Sequence, residues 1–570
     1  MYFTLLLMPV NGLVKYKFYD FVVNEIYNGV AVDLTTPAPH SDLFMDSLNF
    51  FKDPNYVHEV TLDLNEIDSI VKLDEEVSKQ LKQFLRESKP NSKFSFPIPQ
   101  DCDKLQRTAI HAFFKLLKNP LLQSSTGEGV INMHFHSKMQ IPNNPDKQRY
   151  LNFIMLKQDI DTMQTCSLLA SLSQGQKLRP NQFQYCGIKD QRGVTQQLVQ
   201  IPGYVFPEAL TQQLPANIKL GNFQGTELEL YPGSHDGNQF KLVVRCLGDV
   251  PTKQLPLEIV DNLKTLQSQG MLNKFGYQRF GTGLIKTDVM GAFVAQEDYQ
   301  NFFKAYVIND FTMKNDITEE EKQAILKYFA KFELKEKSAQ PQPQLPEDEA
   351  ENNKTEIEAL IKRFAEVVKE TGKPFMLKKV LQGVNLDNLD ERGIIQAIHQ
   401  IPDKQRTFYF HAFQSRIFNT MVDNLPKYEK YMLERNGEKV FELIGFNSVA
   451  ENPQLQEILD IFGVKAISKK YRDLTAPGGV RKIYVPVKEL SFQAVFHDEK
   501  DVQLQSTKFE AIPEEVTLVD NVENLVTSCD TEKYCSLLMK FNLEGSCYAT
   551  EVISVLLGQE ITKEKQMDMI

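Results

Sequence analysis

Apolar and polar positions alternate along residues 12–26, where β-branched and aromatic side chains surround a polar Tyr19 and Asp20, and the pattern predicts strand. On such a strand Lys15 and Glu25 read as ordinary solvated positions. From 62 to 117 the period lengthens and the reading is mainly helical. Val77, Leu81 and Leu85 recur at helical spacing, a second helix begins at Asp103 and runs through His111, and Pro97 and Pro99 separate the two. His111, beside Ala112, Phe113 and Phe114, reads as a satisfied core histidine. Residues 150–155 return to strand. Asp161 then caps a helix carrying Met163, Leu168, Leu169 and Leu172, which Gly175 and Pro180 end. Phe183 and Tyr185 alternate with Gln182 and Gln184 in one short strand-like run. Leu198, Val199 and Ile201 form another, leading to a turn at Pro202 and Gly203.

Residues 237–245 are hairpin-like and 259–266 helical. Thr318 and Glu321 form a capping box for a helix with Ile325, Phe329 and Phe332 on one face. Residues 338–354 are rich in Pro, Gln and acid, including Pro341, Pro343 and Pro346, and read as a disordered loop. Thr355 and Glu358 cap the next helix, with Ile357, Leu360, Ile361, Phe364 and Val368 on its buried face and Gly372 placed to end it. A helix beginning over 408–419 buries Phe410, Phe413, Ile417 and Met421. Mixed strands and turns follow to about 530, then a strand over 537–543, a turn at Gly545 and a helix starting near 546–550.

Composition adds bounds. A chain of 570 residues implies two to four domains at ~100–200 residues each. Hydrophobic residues at 42% and charged residues at 24% suit a soluble globular protein. The net charge of −11 argues against a non-specific nucleic-acid binder, yet allows a local basic groove on an acidic body. Seven scattered cysteines, with no C-x-x-C pair and no zinc spacing, fit a reducing compartment better than a disulfide or zinc scaffold. His134 and His136 flank Phe135 on a strand and lack a third ligand in sequence, so they read as polar strand positions and no metal is expected. No apolar run reaches the ~18 residues of a membrane span. Residues 1–10 are apolar but lack a basic start and a cleavage site, so they read as the lead into a first strand, or as the start of a sequence that lacks an extension.

Two stretches carry chemistry. Over 185–197, Gly187 and Gly193 allow a tight loop that presents one carboxylate, Asp190, between the cations Lys189 and Arg192. A lone Asp among cations, with no second acid or metal ligand beside it, suits a nucleophile that stays ionised; an ordinary Asp, with a pKa of ~3.9, does so at neutral pH. Over 273–281, two glycines, two Phe, one Tyr, Asn273 and Arg279 stand in nine residues. Aromatics there could stack on a base, worth ~1–3 kcal/mol each in single-stranded recognition, and Arg279 could hold a phosphate. A Gly-rich turn with buried aromatics explains the same residues equally well.

With these stretches in hand the chain resembles the TruD family of pseudouridine synthases, in particular its eukaryotic branch. The family pattern G-x-K-D-[KR]-x-A-[VI]-T-x-Q is matched by residues 187–197, with Gln191 in place of a usual cation and Gly193 in place of a usual Ala. N-Y-F-G-x-Q-R-F-G is matched by 273–281, with Lys274 for Tyr. The opening G-[IL]-[IV]-K…D-F-x-V-x-E matches 12–25, G-N-x-F matches 237–240, H-A-[FY]-Q-S…[FW]-N matches 411–419, and [FY]-A-T matches 548–550. These motifs stand in family order over nearly the whole chain.

The resemblance implies an α+β fold: a pseudouridine synthase catalytic domain with a mixed, largely antiparallel sheet, and an inserted α/β TRUD domain. It places the catalytic domain at 1–290, with an accessory insertion at about 40–148, the inserted domain at 291–529, and a returning strand and helix at 530–570. It implies an enzyme that isomerises selected uridines of RNA to pseudouridine: transfer RNA, with small nuclear and messenger RNA as further substrates. No cofactor and no metal are implied, and the chain is expected to act as a monomer in nucleus or cytoplasm. Asp190 is implied as the nucleophile, attacking ribose C1′ or uracil C6. Lys15 becomes its neighbouring cation, against the solvated reading above. Phe275 stacks on the uracil, Asn273 hydrogen-bonds near the Asp or the base, and Tyr548 helps close the pocket. Lys189 and Arg192 are left for loop structure or phosphate contact, and these two with Arg279 are the expected RNA-binding residues. A non-catalytic RNA-binding or RNA-chaperone protein on the same scaffold is the competing reading, but binding alone does not need Asp190. A glycosidase needs a second acid at a defined separation, and the nearest, Glu208, lies past Pro207 on a separate turn.

Overall fold

The computed structural model describes residues 9–37, 67–70, 73–87, 91–98, 102, 104–116, 122–127, 129–135, 148–173, 176–248, 253–332, 347–387, 390–467, 470–471, 473–530 and 532–561. Gly175, His136, Asp103, residues 1–8 and 338–346 therefore lie outside the described residues. Two compact units divide the chain. One comprises Lys15–Val243 and Asp501–Val516; the other comprises Met1–Val14, Val244–Lys500 and Thr517–Ile570.

In the first unit the strands run in the order Ile218–Thr226, Tyr150–Gln158, Val194–Pro202, Phe21–Tyr27, Gly237–Arg245, the last strand passing out of the unit at its end. Phe21–Tyr27 and Val194–Pro202 are parallel and the other pairings antiparallel, giving a mixed, largely antiparallel sheet in an α+β chain. The alternation read over 12–26 holds only from Phe21. Before it, residues 18–20 close a single 3-10 turn in which Asp20 is buried and accepts the Lys17 amide. Asp161 caps helix Thr162–Leu172 through the Gln164 amide at 2.8 Å.

A second, smaller core in this unit gathers Leu81, Leu85, Phe96, Ile110, Phe113 and Ile131 around a three-stranded sheet. Here the mainly helical reading of 62–117 fails at one element: Lys93–Pro97 is a strand, paired among the described residues only with Val130–Phe135. Pro97, which lacks a donor, is tolerated at the end of that edge strand. His111 is half-buried rather than core, with ring nitrogens 2.8 and 2.9 Å from the hydroxyls of Ser124 and Thr126.

The second unit is mostly helical around one large aromatic core. Lys488–His497 and Tyr534–Glu544 pair antiparallel, and helix Ala549–Leu557 packs on helix Leu257–Gln269, where Asn262 donates to the Leu556 carbonyl at 2.9 Å. Three expectations change in this unit. The boundary at 290/291 falls within helix Thr287–Ala295, whose nine residues are all buried, so the chain cannot part there without opening the core. Strand Lys488–His497, inside the expected insert, pairs with Tyr534–Glu544 of the expected return. The last eight positions of the expected disordered loop are helical, because Glu347–Thr371 is one 25-residue helix. After Pro346 its opening residues are acidic and free of Pro and Gly, so helix extends N-terminal to the expected start at Thr355. Among the described residues no helix is long and apolar enough to cross a membrane.

Candidate functional site

Asp190 sits in the loop between two antiparallel strands, Gln184–Tyr185 and Val194–Pro202. The loop is pinned from its backbone. The Lys189 amide donates to Thr162 Oγ1 at 3.1 Å, Gln197 Nε2 donates to the Gly187 carbonyl at 3.1 Å, and the Thr162 hydroxyl donates to Gln197 Oε1 at 2.9 Å. Gly193 is required by closeness: a Cβ there would lie 2.6 Å from the Phe21 carbonyl oxygen. A side chain at 193 would therefore have to displace the Phe21 main chain. Gly187 has only ordinary contacts around a built Cβ, so the tight-turn reading holds for Gly193 alone.

Beneath the loop lies Lys157, fully buried in the strand Tyr150–Gln158. Its ammonium donates to the main-chain carbonyl of Asp190 at 2.9 Å and to that of Ile160 at 2.7 Å. Burial pushes its pKa down to about 8, against the pull of Asp190 and Asp161. The main chain of Asp190 is thus held from below, while its carboxylate is 39% exposed.

That carboxylate is ion-paired through Oδ2 with the Lys15 ammonium, whose side chain is only 12% exposed. The same ammonium stands 3.7 Å from the centroid of the Phe21 ring. Lys15 holds a left-handed backbone, φ 52°, which costs an ordinary residue ~1–2 kcal/mol. Strain of this kind persists where surrounding structure enforces it, typically at functional sites. The solvated reading of Lys15 is overturned and the pairing implied by the resemblance is present.

The solvated reading of Glu25 fails too. Glu25 is fully buried, accepts the Leu198 amide at 3.1 Å, and is ion-paired at 2.5 Å with Lys189, itself 6% exposed. Lys189 is therefore not an exposed phosphate contact; its charge is used inside the protein. Glu25, Cys186 and His235 bring their ligand atoms within 4.8 Å of one another, the spacing of a possible metal set. The donor chemistry does not favour a metal. Lys189 already supplies the cation to Glu25, and burial pushes the Cys186 thiol up to about 11, so it stays protonated. Arg192 remains exposed, with Nη2 donating to the Tyr16 carbonyl at 2.5 Å.

The other expected residues lie in the second unit and three of them meet there. Phe275 is 7% exposed. Its main chain is fixed by Asn419, which accepts its amide and donates to its carbonyl, both at 2.8 Å. Tyr548 packs edge-on to its ring, with centroids 6.0 Å apart. Gly276 permits this, since a Cβ there would lie 2.9 Å from the Tyr548 ring and 2.6 Å from Thr550 Oγ1. Asn273 differs from expectation. Its carboxamide is turned inward, accepting from Arg481 at 2.7 Å and donating to the Lys482 carbonyl at 3.1 Å, so it orders its own unit. Arg279 lies 5.6 Å from the Phe275 centroid and 5.1 Å from that of Phe408, with Nε donating to Ser415 Oγ at 3.3 Å.

Sequence reasoning missed Lys157, the Glu25–Lys189 pair and Arg481. A signal existed for the first: Lys157 directly follows an apolar run through Phe153, Ile154, Met155 and Leu156. Nothing local distinguishes Arg481.

Lys157 gives a pH-dependent prediction. Its unfolded value of 10.5 falls to about 8 on folding. Between the two the unfolded chain binds more protons, so this group makes stability rise with pH across that window; below it both states are protonated and the slope vanishes. Lys157→Met removes the titration. The stability of wild type relative to this variant, from urea midpoints, is expected to rise by roughly 2 kcal/mol between about pH 7.5 and about pH 9.5. A constant difference would refute the depressed value.

Comparison with known proteins identifies the family. Residues 133–555 match the family described as TruD, tRNA pseudouridine synthase D. The "Pseudouridylate synthase 7 homolog" of Mus musculus is 24% identical, covering 98% of this chain and 80% of its own. The "Multisubstrate pseudouridine synthase 7" of Schizosaccharomyces pombe is 23% identical, covering 95% and 87%. A solved TruD structure from Methanosarcina mazei covers 98% of this chain and 95% of its own, at 13% identity and a TM-score of 0.44. The family match spans well over half the chain and contains the Asp190 loop, the Phe275 cluster and Tyr548: the chain belongs to the TruD family of RNA pseudouridine synthases.

Proposed function

We propose that Asp190 is the nucleophile of this RNA pseudouridine synthase and that transfer RNA is its first substrate, with small nuclear or messenger RNA as further ones. The observation that carries the reading is the Lys15–Asp190 pair. A carboxylate on a pinned main chain keeps 39% of its side chain exposed, beside a lysine whose left-handed backbone the fold enforces. A structural ion pair needs neither feature. In the reaction the C1′–N1 bond breaks, the uracil turns, and a C1′–C5 bond forms; C5 loses a proton and N1 gains one. The net change is an isomerisation with no oxidation or reduction, so the step balances without a redox partner; that the chain acts as a monomer without cofactor or metal is part of the same proposal. Asp190 attacks C1′ or C6, and the Lys15 ammonium stays paired with its carboxylate. Phe275 is the platform for the base and Tyr548 packs on its edge. Arg192 and Arg279 are phosphate contacts, and Asn273 positions the platform. The family description supports transfer RNA, and the name of the fission yeast relative supports more than one substrate.

The test is purified protein incubated with unmodified transfer, small nuclear and messenger RNA transcripts, with pseudouridine read by nuclease digestion and chromatography. Product from wild type and none from Asp190→Ala is expected. Product from the variant would remove Asp190 from the mechanism. RNA binding by wild type with no product in any RNA would favour a binding protein on this scaffold.

A further inference from the structure

Arg481, in strand Gly479–Lys482, is a cation built against the aromatic cluster of the second unit and is 7% exposed. Its guanidinium lies 3.9 Å from the Phe275 centroid, 5.5 Å from that of Phe418 and 6.0 Å from that of Tyr548. Two of its nitrogens are committed: Nε donates to the Asn273 carbonyl at 2.9 Å and Nη2 to Asn273 Oδ1 at 2.7 Å. Among the described residues Nη1 makes no hydrogen bond, and it is not fully sealed from solvent.

The electrostatics are lopsided. No carboxylate is in ion-pair range of Arg481 among the described residues. The groups that act on it are Cys547, Tyr548, the like charge of Arg279, and Glu551. Burial pushes Arg481 down to about 10, so it remains a cation at neutral pH. Glu551 is a weak counter-ion, because burial raises it to about 7 and Lys274 already faces it. A buried cation without an anion is costly and is stabilised when one arrives. Guanidinium groups suit phosphate, and aromatic rings suit bases. Arg481 and Arg279 both stand near one ring, Phe275, at 3.9 and 5.6 Å from its centroid, so cation and aromatic together offer both halves of a nucleotide its complement.

We propose that Arg481 binds, through Nη1, a phosphate adjoining the nucleotide whose base stacks on Phe275, with Arg279 as the second cation. This rests on the reading of Phe275 as the base platform and adds the phosphate to it.

The test uses full-length protein and a fluorescent RNA containing a uridine that wild type isomerises or, lacking one, a transfer RNA transcript. Affinity is measured by anisotropy at increasing KCl, independently of turnover. Arg481→Gln keeps donors for Asn273 and loses the charge. It is expected to weaken binding about tenfold and to reduce the slope of log affinity against log salt by roughly 0.7, one single-strand phosphate. A second arm leaves the protein unchanged: methylphosphonate replaces the phosphate on each side of the target uridine in turn. One of these RNAs should bind wild type as weakly as the parent RNA binds the variant, with no further loss in the variant. The second arm decides even if Arg481→Gln fails to fold. A folded variant with an unchanged slope, or wild type binding both methylphosphonate RNAs like the parent, would overturn the proposal; the latter would point to a neutral acceptor on the RNA. Altered slopes without any pseudouridine from wild type would sink the catalytic reading and leave the phosphate contact standing.

Discussion

Replacing Asp190 by Asn is expected to lower uridine isomerisation by on the order of 10⁴-fold or more, while RNA affinity stays within about threefold. The substitution is nearly isosteric. The main-chain carbonyl of residue 190 still accepts from Lys157, and the loop keeps its bonds to Thr162 and Gln197. What is lost is the nucleophilic carboxylate, and with it the charge paired with Lys15. Retained binding is part of the prediction, because phosphate contacts position RNA and do not depend on this carboxylate. The balanced reaction supplies a direct assay: C5 loses its proton, so RNA labelled with tritium at C5 of uridine releases label to water. Lys15→Met keeps the nucleophile and removes the partner that offsets its charge, so it is expected to cost less than Asp190→Asn at neutral pH. If Asp190→Asn released tritium at more than about a tenth of the wild-type rate, the carboxylate would be a structural ion-pair member and the nucleophile would lie elsewhere.

How much of this could be read from the chain depends on the range over which each constraint acts. Local constraints were legible: the Asp161 cap, the Thr318–Glu321 capping box, the helix carrying Phe410, Phe413 and Ile417, and the strand around Val199 each follow from a few neighbouring residues. Motif order identified the family. Its residues Asp190, Lys15, Phe275 and Tyr548 stand where each can be described, Lys15 on Asp190 and Tyr548 on Phe275. What escaped was set by tertiary contact. Glu25 alternates like a surface residue, and only its burial against Lys189 reveals otherwise. Lys93–Pro97 carries Pro at its end and reads as a break until a partner strand is present. The boundary at 290/291 was placed by analogy, and helix Thr287–Ala295 is buried throughout. Arg481 lies 208 residues from the asparagine it holds, so no window of sequence joins the two.

The Glu25–Lys189 pair separates the two accounts of Lys189 that sequence and structure give. As an exposed phosphate contact, Lys189→Met would leave stability intact and weaken RNA binding with a smaller salt slope. As one half of a buried pair, the same change strands a carboxylate with 0% exposure. Removing one partner of such a pair typically costs about 3–5 kcal/mol, because the remaining charge is left uncompensated. We expect that loss for Lys189→Met, read as a fall in the urea midpoint. Glu25→Gln is expected to fall comparably, since it strands the ammonium and weakens the acceptor of the Leu198 amide. The double variant, Glu25→Gln with Lys189→Met, buries no charge at this position. It is expected to recover much of the loss, giving a coupling energy of at least about 2 kcal/mol across the cycle. Lys189 is the residue before the proposed nucleophile, so the single variants should also lose tritium release, while the double variant regains part of it as the loop is restored. Additive losses in the cycle, with a reduced salt slope in Lys189→Met, would return Lys189 to the RNA interface.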